Sequence, residues 1–347
     1  MNKNIEVEFR IYTIGEMKDW LYSGKQVGLT TDVISNARAL AIVRNPYAQD
    51  NSPAIVVAYD QNHKAVGYTA VMADRLKGEA IFYGTSGFLD ASMRGKGVGT
   101  QLYATMMNAC RNRWLSPDQS PSALAISKKM GLNVYHYNRY YLNFTHTHSF
   151  KSLLRAWYVR NINQQVLRHI RVKTRLEILR HIDDVTFSFI RQHSEKALFP
   201  RSQEMLNWIL QNPFKSCAPA DLATYSSYEF TTALPQYVIY AFRIVFDQML
   251  IGFAMFRLNM GELTLLYLFK DDKYDSIIYP ALVKHILSQK ITYFKTFVKE
   301  LIDSFNQLGG KSMNVHSRII PVSLSVPKDI KVDNSLVFQG GDGDMFC

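Results

Sequence analysis

The residues best suited to chemistry form a glycine-rich stretch, Arg94-Gly95-Lys96-Gly97-Val98-Gly99. Glycine has no Cβ atom, so these glycines allow a tight turn and a close approach of the backbone to a ligand. From Val98 to Ala109 apolar residues then recur at three- and four-residue steps, which predicts a helix. Unpaired amides at a helix N-terminus bind anions, and Arg94 and Lys96 add positive charge beside them. The stretch therefore predicts a phosphate-binding site.

The spacing of the glycines excludes two common phosphate-binding loops. The dinucleotide fingerprint G-x-G-x-x-G and the P-loop G-x-x-x-x-G-K-[ST] both fail here. The stretch resembles the acetyl-CoA loop of the GNAT N-acetyltransferases, [RQ]-x-x-G-x-[GA], at Arg94, Gly97 and Gly99, and Thr100 follows as expected. The resemblance implies that the amides from Gly95 to Thr100 hold the pyrophosphate of acetyl-CoA, a co-substrate. The alternative is an ordinary glycine-rich turn between a strand and a helix.

The segments around the loop follow the order of elements in that family. VEFRIYT is predicted to be the first strand, and EMKDWLYSG and VISNARALAIVRNP the next two helices. Three strands, AIVVAYD, AVGYTAVMADR and AIFYGTSGFLD, precede the loop, with a hairpin turn at QNHK. SALAISKKMGLNVY resembles the late helix of the family. The resemblance covers about residues 5 to 145.

The second half of the sequence echoes the first. TRLEILRHIDD matches EFRIYTIGEM, QEMLNWILQNPF matches NARALAIVRNPY, and LIGFAMFRLNMGELTLLYLF matches AVGYTAVMADRLKGEAIFYG. These echoes in the same order indicate a tandem duplication. At the place of the glycine loop the second copy has FKDDKYDSIIYPALVKHIL, with no glycine and with Asp271, Asp272 and Asp275. The second copy is therefore predicted to keep the fold without binding CoA.

These observations predict an α+β protein of two tandem GNAT-like domains, each a mixed, mostly antiparallel sheet flanked by helices. The predicted division is an acetyl-CoA-binding domain at 1–148, a basic helical linker at 149–170, and a degenerate domain with an acidic, glycine-rich tail at 171–347. The tail is either a floppy terminus or a segment ordered against a cleft.

Catalytic candidates follow from the resemblance, which implies direct acetyl transfer to an amine in a ternary complex. The amine must lose a proton, and Glu79 is the best candidate for the base. Tyr83 lies on the same side of the predicted strand because side chains alternate, and it is expected to contact the acceptor. Ser127 stands where the family often has a tyrosine that protonates the thiolate. This departure leaves the general acid open, with Tyr135 as a substitute. Backbone groups near Phe88 and Leu89 are expected to bind the pantetheine arm.

Composition bounds the cellular setting. The chain has 347 residues, 47% of them hydrophobic, yet no apolar run long enough for a membrane span and no signal peptide, so a cytoplasmic location is expected. Three scattered cysteines favour neither a disulfide framework nor a metal site. The formal charge is +11, and residues 151–180 carry eight Lys or Arg against Glu177 alone. That segment is a solvated face, attracts an anionic substrate or membrane surface, or binds nucleic acid; no nucleic-acid module accompanies it.

The function predicted from the sequence is transfer of an acetyl group to a primary amine of a small acceptor, such as an amino sugar or its nucleotide- or lipid-linked form. A non-catalytic CoA-binding or scaffolding protein and a peptide or cell-wall acyltransferase are the alternatives. The acceptor is expected in a cleft between the domains, lined by Tyr47, Tyr83 and Tyr135. Asp342 and Asp344 of the tail are predicted to lie at its rim.

Overall fold

A computed structural model describes residues 6–24, 28–76, 78–145, 150–217, 233–325, 332 and 336–342 of the chain. The first half forms β1 (Glu8–Thr13), α1 (Ile14–Ser23), α2 (Asn36–Val43), β2 (Pro53–Tyr59), β3 (Ala65–Leu76), β4 (Glu79–Leu89), α3 (Val98–Ala109), β5 (Trp114–Pro117), α4 (Pro121–Lys129) and β6 (Asn133–Asn143).

Helix α5 (Phe150–His169) connects this half to the second. The second half forms β7 (Arg175–Leu179), α6 (Asp184–Gln192), α7 (Gln203–Gln211), β8 (Ser216–Cys217), β9 (Ala233–Leu234), β10 (Tyr237–Phe246), β11 (Met249–Asn259), β12 (Glu262–Lys270), α8 (Asp275–Ser288), β13 (Tyr293–Thr296), α9 (Lys299–Gln307) and β14 (Asn314–Ser325). Within the described ranges, no helix is both long enough and apolar enough to cross a bilayer.

Local sequence explains where several helices begin. Thr13 and Glu16 form a reciprocal capping box at the start of α1. The hydroxyl groups of Ser35, Ser120 and Ser202 accept a hydrogen bond from the first turn of α2, α4 and α7, respectively. Each side chain satisfies an amide that has no partner within its helix, so these serines fix the helix starts.

Both halves belong to one 12-stranded sheet, in the order β1-β2-β3-β4-β5-β14-β6-β13-β12-β11-β10-β7. The β4–β5 and β12–β13 pairs are parallel, and the other neighbours in this sheet are antiparallel. The predicted fold class, α+β with two mixed and mostly antiparallel tandem units, is confirmed. The boundaries at 148 and 170 stay a prediction.

The centre of the sheet is built by an exchange of strands between the halves. Strand β14, near the end of the chain, lies between β5 and β6, while β6 lies between β14 and β13 of the second half. Each half therefore receives one central strand from the other. The sequence analysis did not anticipate this exchange.

Three apolar clusters cover the two faces of the sheet. Helix α3 packs over the first half on one face, around Val98, Leu102 and Met106. Helices α5, α8 and α9 pack on a second cluster in the other half. The largest cluster, here called the shared core, joins residues of α1 and α2 to residues of α6 and α7. The two halves are therefore united by a common core as well as by a common sheet.

Candidate active site

Strands β4 and β5 separate soon after they meet. They pair only at Phe82 with Trp114 and at Tyr83 with Leu115. Beyond Tyr83, β4 continues to Leu89, whereas the other neighbour of β5 is β14. A bulge in the β3–β4 ladder falls opposite Ala70 and Val71, at the point where the strands diverge. Among the described residues, no strand pairs with the segment from Gly84 to Leu89 on the β5 side, and we call this opening the first gap.

A glycine and a tryptophan define the closed end of the first gap. A Cβ atom on Gly84 would lie 2.9 Å from Cζ2 of Trp114, whose side chain is buried. The ring of Tyr103 from α3 lies 5.7 Å from that indole. Glycine inside a strand often marks such a close approach, so Gly84 was the available sequence signal for Trp114, which the sequence analysis missed.

The glycine loop lies between the open end of the gap and α3. Gly95 and Gly97 have φ angles of +75° and +82°, which L side chains rarely adopt. Gly97 is the N-cap of α3 and provides no side-chain hydrogen bond to the first turn of the helix. Among the described residues, no side chain therefore caps the first-turn amides of Val98, Gly99 and Thr100. These amides lie at the positive end of the helix dipole, where anions bind. This is the geometry that the sequence predicted for a phosphate site.

The third glycine has a different role. At Gly99 an added Cβ atom would lie 3.4 Å from Cδ2 of Leu89, an ordinary contact, and the backbone needs no positive φ there. The free chain therefore tolerates a side chain at Gly99. Arg94 and Lys96 are both exposed, and Nε of Arg94 donates to the backbone oxygen of Leu89. The first gap thus opens onto a loop with two cations and free helix amides.

Alternate residues of β4 face opposite layers. Phe82 packs in the α3 cluster, whereas Ile81 and Tyr83 lie in the shared core. The Tyr83 ring lies 5.9 Å from the ring of Phe199 in the second half, and burial raises the pKa of Tyr83 well above its usual range. The side chain therefore stays neutral, on the face opposite the glycine loop and its helix.

A buried ionic network lies next to Tyr83 in the shared core. Arg201 pairs with Asp74 of β3 through Nη1, and with Asp342 through Nη2 at 3.1 Å. Its Nε donates to the Tyr267 hydroxyl at 3.1 Å, and that hydroxyl donates to Asp342 at 3.3 Å. Burial raises the pKa of Asp342 to about 6. Arg201 is shared between Asp342 and Asp74, and the charge of the neighbouring Asp74 also raises this pKa.

The sequence analysis placed Asp342 at the exposed rim of a cleft, and this placement is wrong. Asp342 is 1% exposed, because its carboxylate is drawn in by Arg201 and accepts from the backbone N–H of Gln339 at 3.0 Å. Asp344 lies outside the described residues. Asp74 and Arg201 were missed. Asp74 gave a weak signal, as a charged residue in an apolar strand, whereas Arg201 gave none.

Glu79 lies at the beginning of β4, where the carboxylate pairs with Nη1 of Arg113 at 3.1 Å. Its side chain is 54% exposed. Four residues at about 3.3 Å each put Glu79 roughly 13 Å along the strand from Tyr83. It occupies the side of β4 that carries Ile81 and Tyr83, as the alternation predicted.

Ser127 and Tyr135 both have hydrogen-bond partners. The Ser127 hydroxyl is fully buried and accepts from Nε2 of Gln119 at 2.6 Å, and Gln119 in turn accepts from Ser323 of β14. Ser127 thus ties α4 to a strand of the second half. The Tyr135 hydroxyl donates to the backbone oxygen of Val332 at 3.3 Å.

Tyr47 and Tyr135 are half-buried and pack against the shared core that contains Tyr83. Tyr83 itself is fully buried, and the cleft that the three tyrosines were expected to line stays a prediction.

The second half contains an equivalent gap, which the chain itself fills. Strands β12 and β13 pair only from Glu262 to Thr264, after which β12 continues to Lys270. The tail segment 336–342 covers this stretch. The side-chain oxygen of Gln339 accepts from the backbone N–H of Leu268 at 2.8 Å.

Tight packing holds the tail in the second gap. A Cβ atom on Gly340 would lie 2.3 Å from the Leu265 carbonyl oxygen, and one on Gly341 would lie 2.1 Å from the Tyr267 ring. The Phe338 ring stacks on Tyr137 at 5.0 Å. The tail is therefore an integral part of the fold, which favours the ordered alternative of the sequence analysis.

The N-terminus of α8 also differs from that of α3. Nζ of Lys270 contacts Asp272 at 2.6 Å and Asp275 at 2.5 Å, where the first half has its glycine loop. Three acidic residues in this turn oppose a pyrophosphate. The geometry of this turn agrees with a second half that lacks a CoA loop, which stays a prediction.

No protein-family profile matches the sequence, and no curated protein matches it. Solved structures match over most of the chain. N-myristoyltransferase from Saccharomyces cerevisiae with bound myristoyl-CoA is 10% identical, with 93% of this chain and 85% of that chain covered and a TM-score of 0.51. A tandem GNAT protein from the clavulanic acid biosynthesis pathway is 13% identical, covered over 93% and 100%, with a TM-score of 0.50.

A GCN5-related glucosamine N-acetyltransferase region of a fungal multi-domain GH3 β-N-acetylglucosaminidase also matches. It is 14% identical over 92% of this chain and 38% of that chain, with a TM-score of 0.50. Likeness at such low identity establishes a fold and not an activity. Together with the paired gaps and the exchanged central strands, it shows that this chain has the tandem GNAT fold.

Proposed function

We propose that the protein is an acyl-CoA-dependent N-acyltransferase that moves an acetyl group to a primary amine of a small acceptor. The observation that carries the proposal is the first gap, where the edge of β4 leads directly to the N-terminus of α3 and to two cations. A strand edge that leads into an anion site suits a donor with two parts. The peptide-like arm of the donor would pair with the strand edge, and its pyrophosphate would occupy the anion site.

The donor is proposed to lie along β4 and the glycine loop. The amides from Gly95 to Thr100 bind the pyrophosphate, and Arg94 and Lys96 add charge. The backbone near Phe88 and Leu89 binds the amide groups of the pantetheine arm, as a neighbouring strand would. The thioester then lies close to Tyr83, where the two strands part.

In the proposed reaction, the amine nitrogen attacks the thioester carbonyl, the new C–N bond forms and the C–S bond breaks. The amine proton passes toward Glu79 through a chain of water molecules, because Glu79 lies about 13 Å along β4 from Tyr83 and only the neutral amine is a nucleophile. The thiolate takes up a proton as it leaves. Ser127 is fully buried, so Tyr135 is the proposed donor of that proton, with its hydroxyl turning from the Val332 carbonyl to the thiolate, and Ser127 supports the helix beside it.

The acceptor is proposed to approach from the shared-core side of β4, opposite α3. Tyr47 and Tyr135 are half-buried against the shared core and offer flat apolar faces with one hydroxyl each, whereas Tyr83 is fully buried in it. The second half supplies the opposing wall through Phe199. A small amino sugar fits this chemistry, and one structural match carries the name of a glucosamine N-acetyltransferase region.

The first test is calorimetry of the full chain with acetyl-CoA, CoA and longer acyl-CoA esters. Gly99→Asp should weaken binding about 100-fold or more, because a carboxylate beside the pyrophosphate costs several kcal/mol. Aspartate at a helix N-terminus stabilises the helix, so the fold should persist.

The matched control is Ser276→Asp, since Ser276 is the second residue of α8 as Gly99 is of α3. It should leave binding unchanged. Normal binding by Gly99→Asp would show that the loop assignment is wrong. A screen for thiol release over amino sugars, small amines and peptide amines then separates an enzyme from a protein that binds CoA without turnover.

A further inference from the structure

Helix α5 is held to the protein along one side. Val159 is buried there, and Asn163 makes two hydrogen bonds of 2.8 Å with the backbone of Lys311, one through Nδ2 and one through Oδ1. These contacts fix the rotation of the helix about its own axis. The residues on the opposite side therefore have a defined direction, away from the molecule.

That opposite side is apolar and exposed. Five large side chains, each between 53% and 74% exposed, make up what we call the outer stripe: Phe150, Leu153, Leu154, Trp157 and Tyr158. They follow the i, i+3, i+4, i+7, i+8 spacing of one helix face and span about 140° of the helix circumference. A face this apolar is unusual on the surface of a protein and marks an interaction site.

The charges of α5 have one sign and flank the stripe. The helix contains no Asp or Glu. Lys151 and Arg155 lie along one edge of the outer stripe and Arg160 lies along the other, and all three are exposed. The positive charge continues past the helix in Arg171 and Lys173. The partner must therefore offer an apolar layer bordered by negative charge.

We propose that the outer stripe docks α5 in the plane of an anionic phospholipid surface. Leucine and phenylalanine enter the boundary of the acyl chains, the tryptophan and tyrosine rings lie at the level of the headgroups, and the flanking cations meet lipid phosphates. The helix lies on the bilayer and does not cross it. This inference is independent of the proposed transfer reaction.

A groove beside the stripe fits the same partner. It has a volume of about 870 Å³ and lies between α5 and the end of α8. Trp157 and Arg160 line it on one side, and Ile286, Lys290 and Ile291 on the other. Apolar walls with cations near them suit an amphiphile that has an acyl chain and an anionic headgroup.

Other occupants fit the stripe less well. A second copy of the chain would bring two helices without acidic residues face to face, and like charges across an interface repel. Nucleic acid would use the cations but would leave five large apolar side chains without a role. An anionic bilayer uses both features.

The test is co-sedimentation of the full chain with vesicles of pure phosphatidylcholine and of phosphatidylcholine containing phosphatidylglycerol. Binding should require the anionic lipid and weaken as salt is raised. The double variant Leu154→Ser/Trp157→Ser should lower the partition coefficient at least about tenfold. Val185→Ser is the matched control, because Val185 is 66% exposed on another helix, α6, and it should bind like the wild type.

The stripe residues are exposed, so replacing them should not unfold the protein. Thermal melts of each variant check that an altered partition coefficient does not come from unfolding. The proposal is overturned if the wild type does not bind anionic vesicles at low salt, or if the double variant binds them as well as the wild type. It is also overturned if the stripe variants abolish self-association or binding to nucleic acid while vesicle binding is unaffected.

Discussion

The two halves contain the same gap between diverging strands and use it in opposite ways. In the first half, the edge of β4 leads to a glycine loop whose N-cap residue, Gly97, has no side chain to cap the helix. In the second half, the edge of β12 is covered by the tail, and Lys270 neutralises the acids at the start of α8. A gap of this kind exposes backbone groups that need a partner. The protein provides that partner itself where no ligand is expected.

The pairing with the preceding strand shows which residues correspond. Gly67 of β3 pairs with Leu89, and its counterpart Gly252 of β11 pairs with Lys270. Counting back two residues in each half makes Gly87 equivalent to Leu268. The Leu268 amide donates to Gln339 of the tail, in the place where the first half is proposed to hold the pantetheine arm.

The largest expected effect separates two glutamates, each of which begins the strand that borders the gap of its half. Glu79→Gln should lower turnover by about 10²–10⁴-fold, the usual range for a lost general base, with little change in CoA affinity. Glu262→Gln should leave turnover unchanged, because Glu262 lies beside the gap that the tail fills, where it pairs with Arg257 and Lys295. Steady-state rates with the best amine acceptor measure both, and an unaltered rate for Glu79→Gln would assign the base to another group.

The next effect concerns the network that joins the halves. Arg201→Met leaves Asp74 and Asp342 buried without their cation, so it should cost about 3–5 kcal/mol of unfolding free energy. Arg191→Met removes an exposed arginine from α6 and should cost less than about 0.5 kcal/mol. Denaturant unfolding measures the difference. Equal stability of the two variants would mean that the network does not hold the halves together.

Glycines of the two gaps should respond differently to the same substitution. Gly341→Ala places a methyl group against the Tyr267 ring and should cost about 1–3 kcal/mol of stability. Gly99→Ala has room for its methyl group and should preserve stability while weakening CoA binding, since the added atom lies where the pyrophosphate is expected. Melting temperatures and calorimetry distinguish these outcomes. The comparison fails if Gly341→Ala melts like the wild type.

The smallest effect is a pH dependence. The pKa of Asp342 is about 6 in the folded protein, above the ordinary value of 3.8, so its contribution to stability is full below about pH 4 and is lost as pH rises through 6. The side-chain amide of Asp342→Asn does not titrate, so the stability of the variant does not fall with pH in this way. The melting temperature of the variant minus that of the wild type should rise by a few degrees between pH 5 and 7.5. A constant difference would contradict the raised pKa.

Local patterns were enough to predict most elements and the glycine loop. Caps, alternation and glycine spacing act over a few residues, so they can be recognised in a single stretch of sequence. The ionic network could not be found in this way, because Arg201 and Asp74 are 127 positions apart and nothing near Arg201 marks it as buried. The burial of Asp342 depends on the same distant partner.

The choice of partner strands was equally inaccessible. Strands β6 and β14 have ordinary alternating sequences, and any of several edges would satisfy their backbones. Only the completed sheet shows that β14 pairs with a strand of the first half and β6 with strands of the second.

That exchange has a consequence for how the molecule is made. Strand β5 pairs with β14, so Ser116 cannot pair until Ser323, which lies much later in the chain, has been synthesised. The sheet beside the donor site cannot close until β14 has left the ribosome, and contacts of such long sequence separation form slowly. Neither half expressed alone should reach its native sheet, whereas the two halves expressed together can supply each other's missing strand. The second half is thus predicted to act as a folding partner of the first, whether or not it binds a donor.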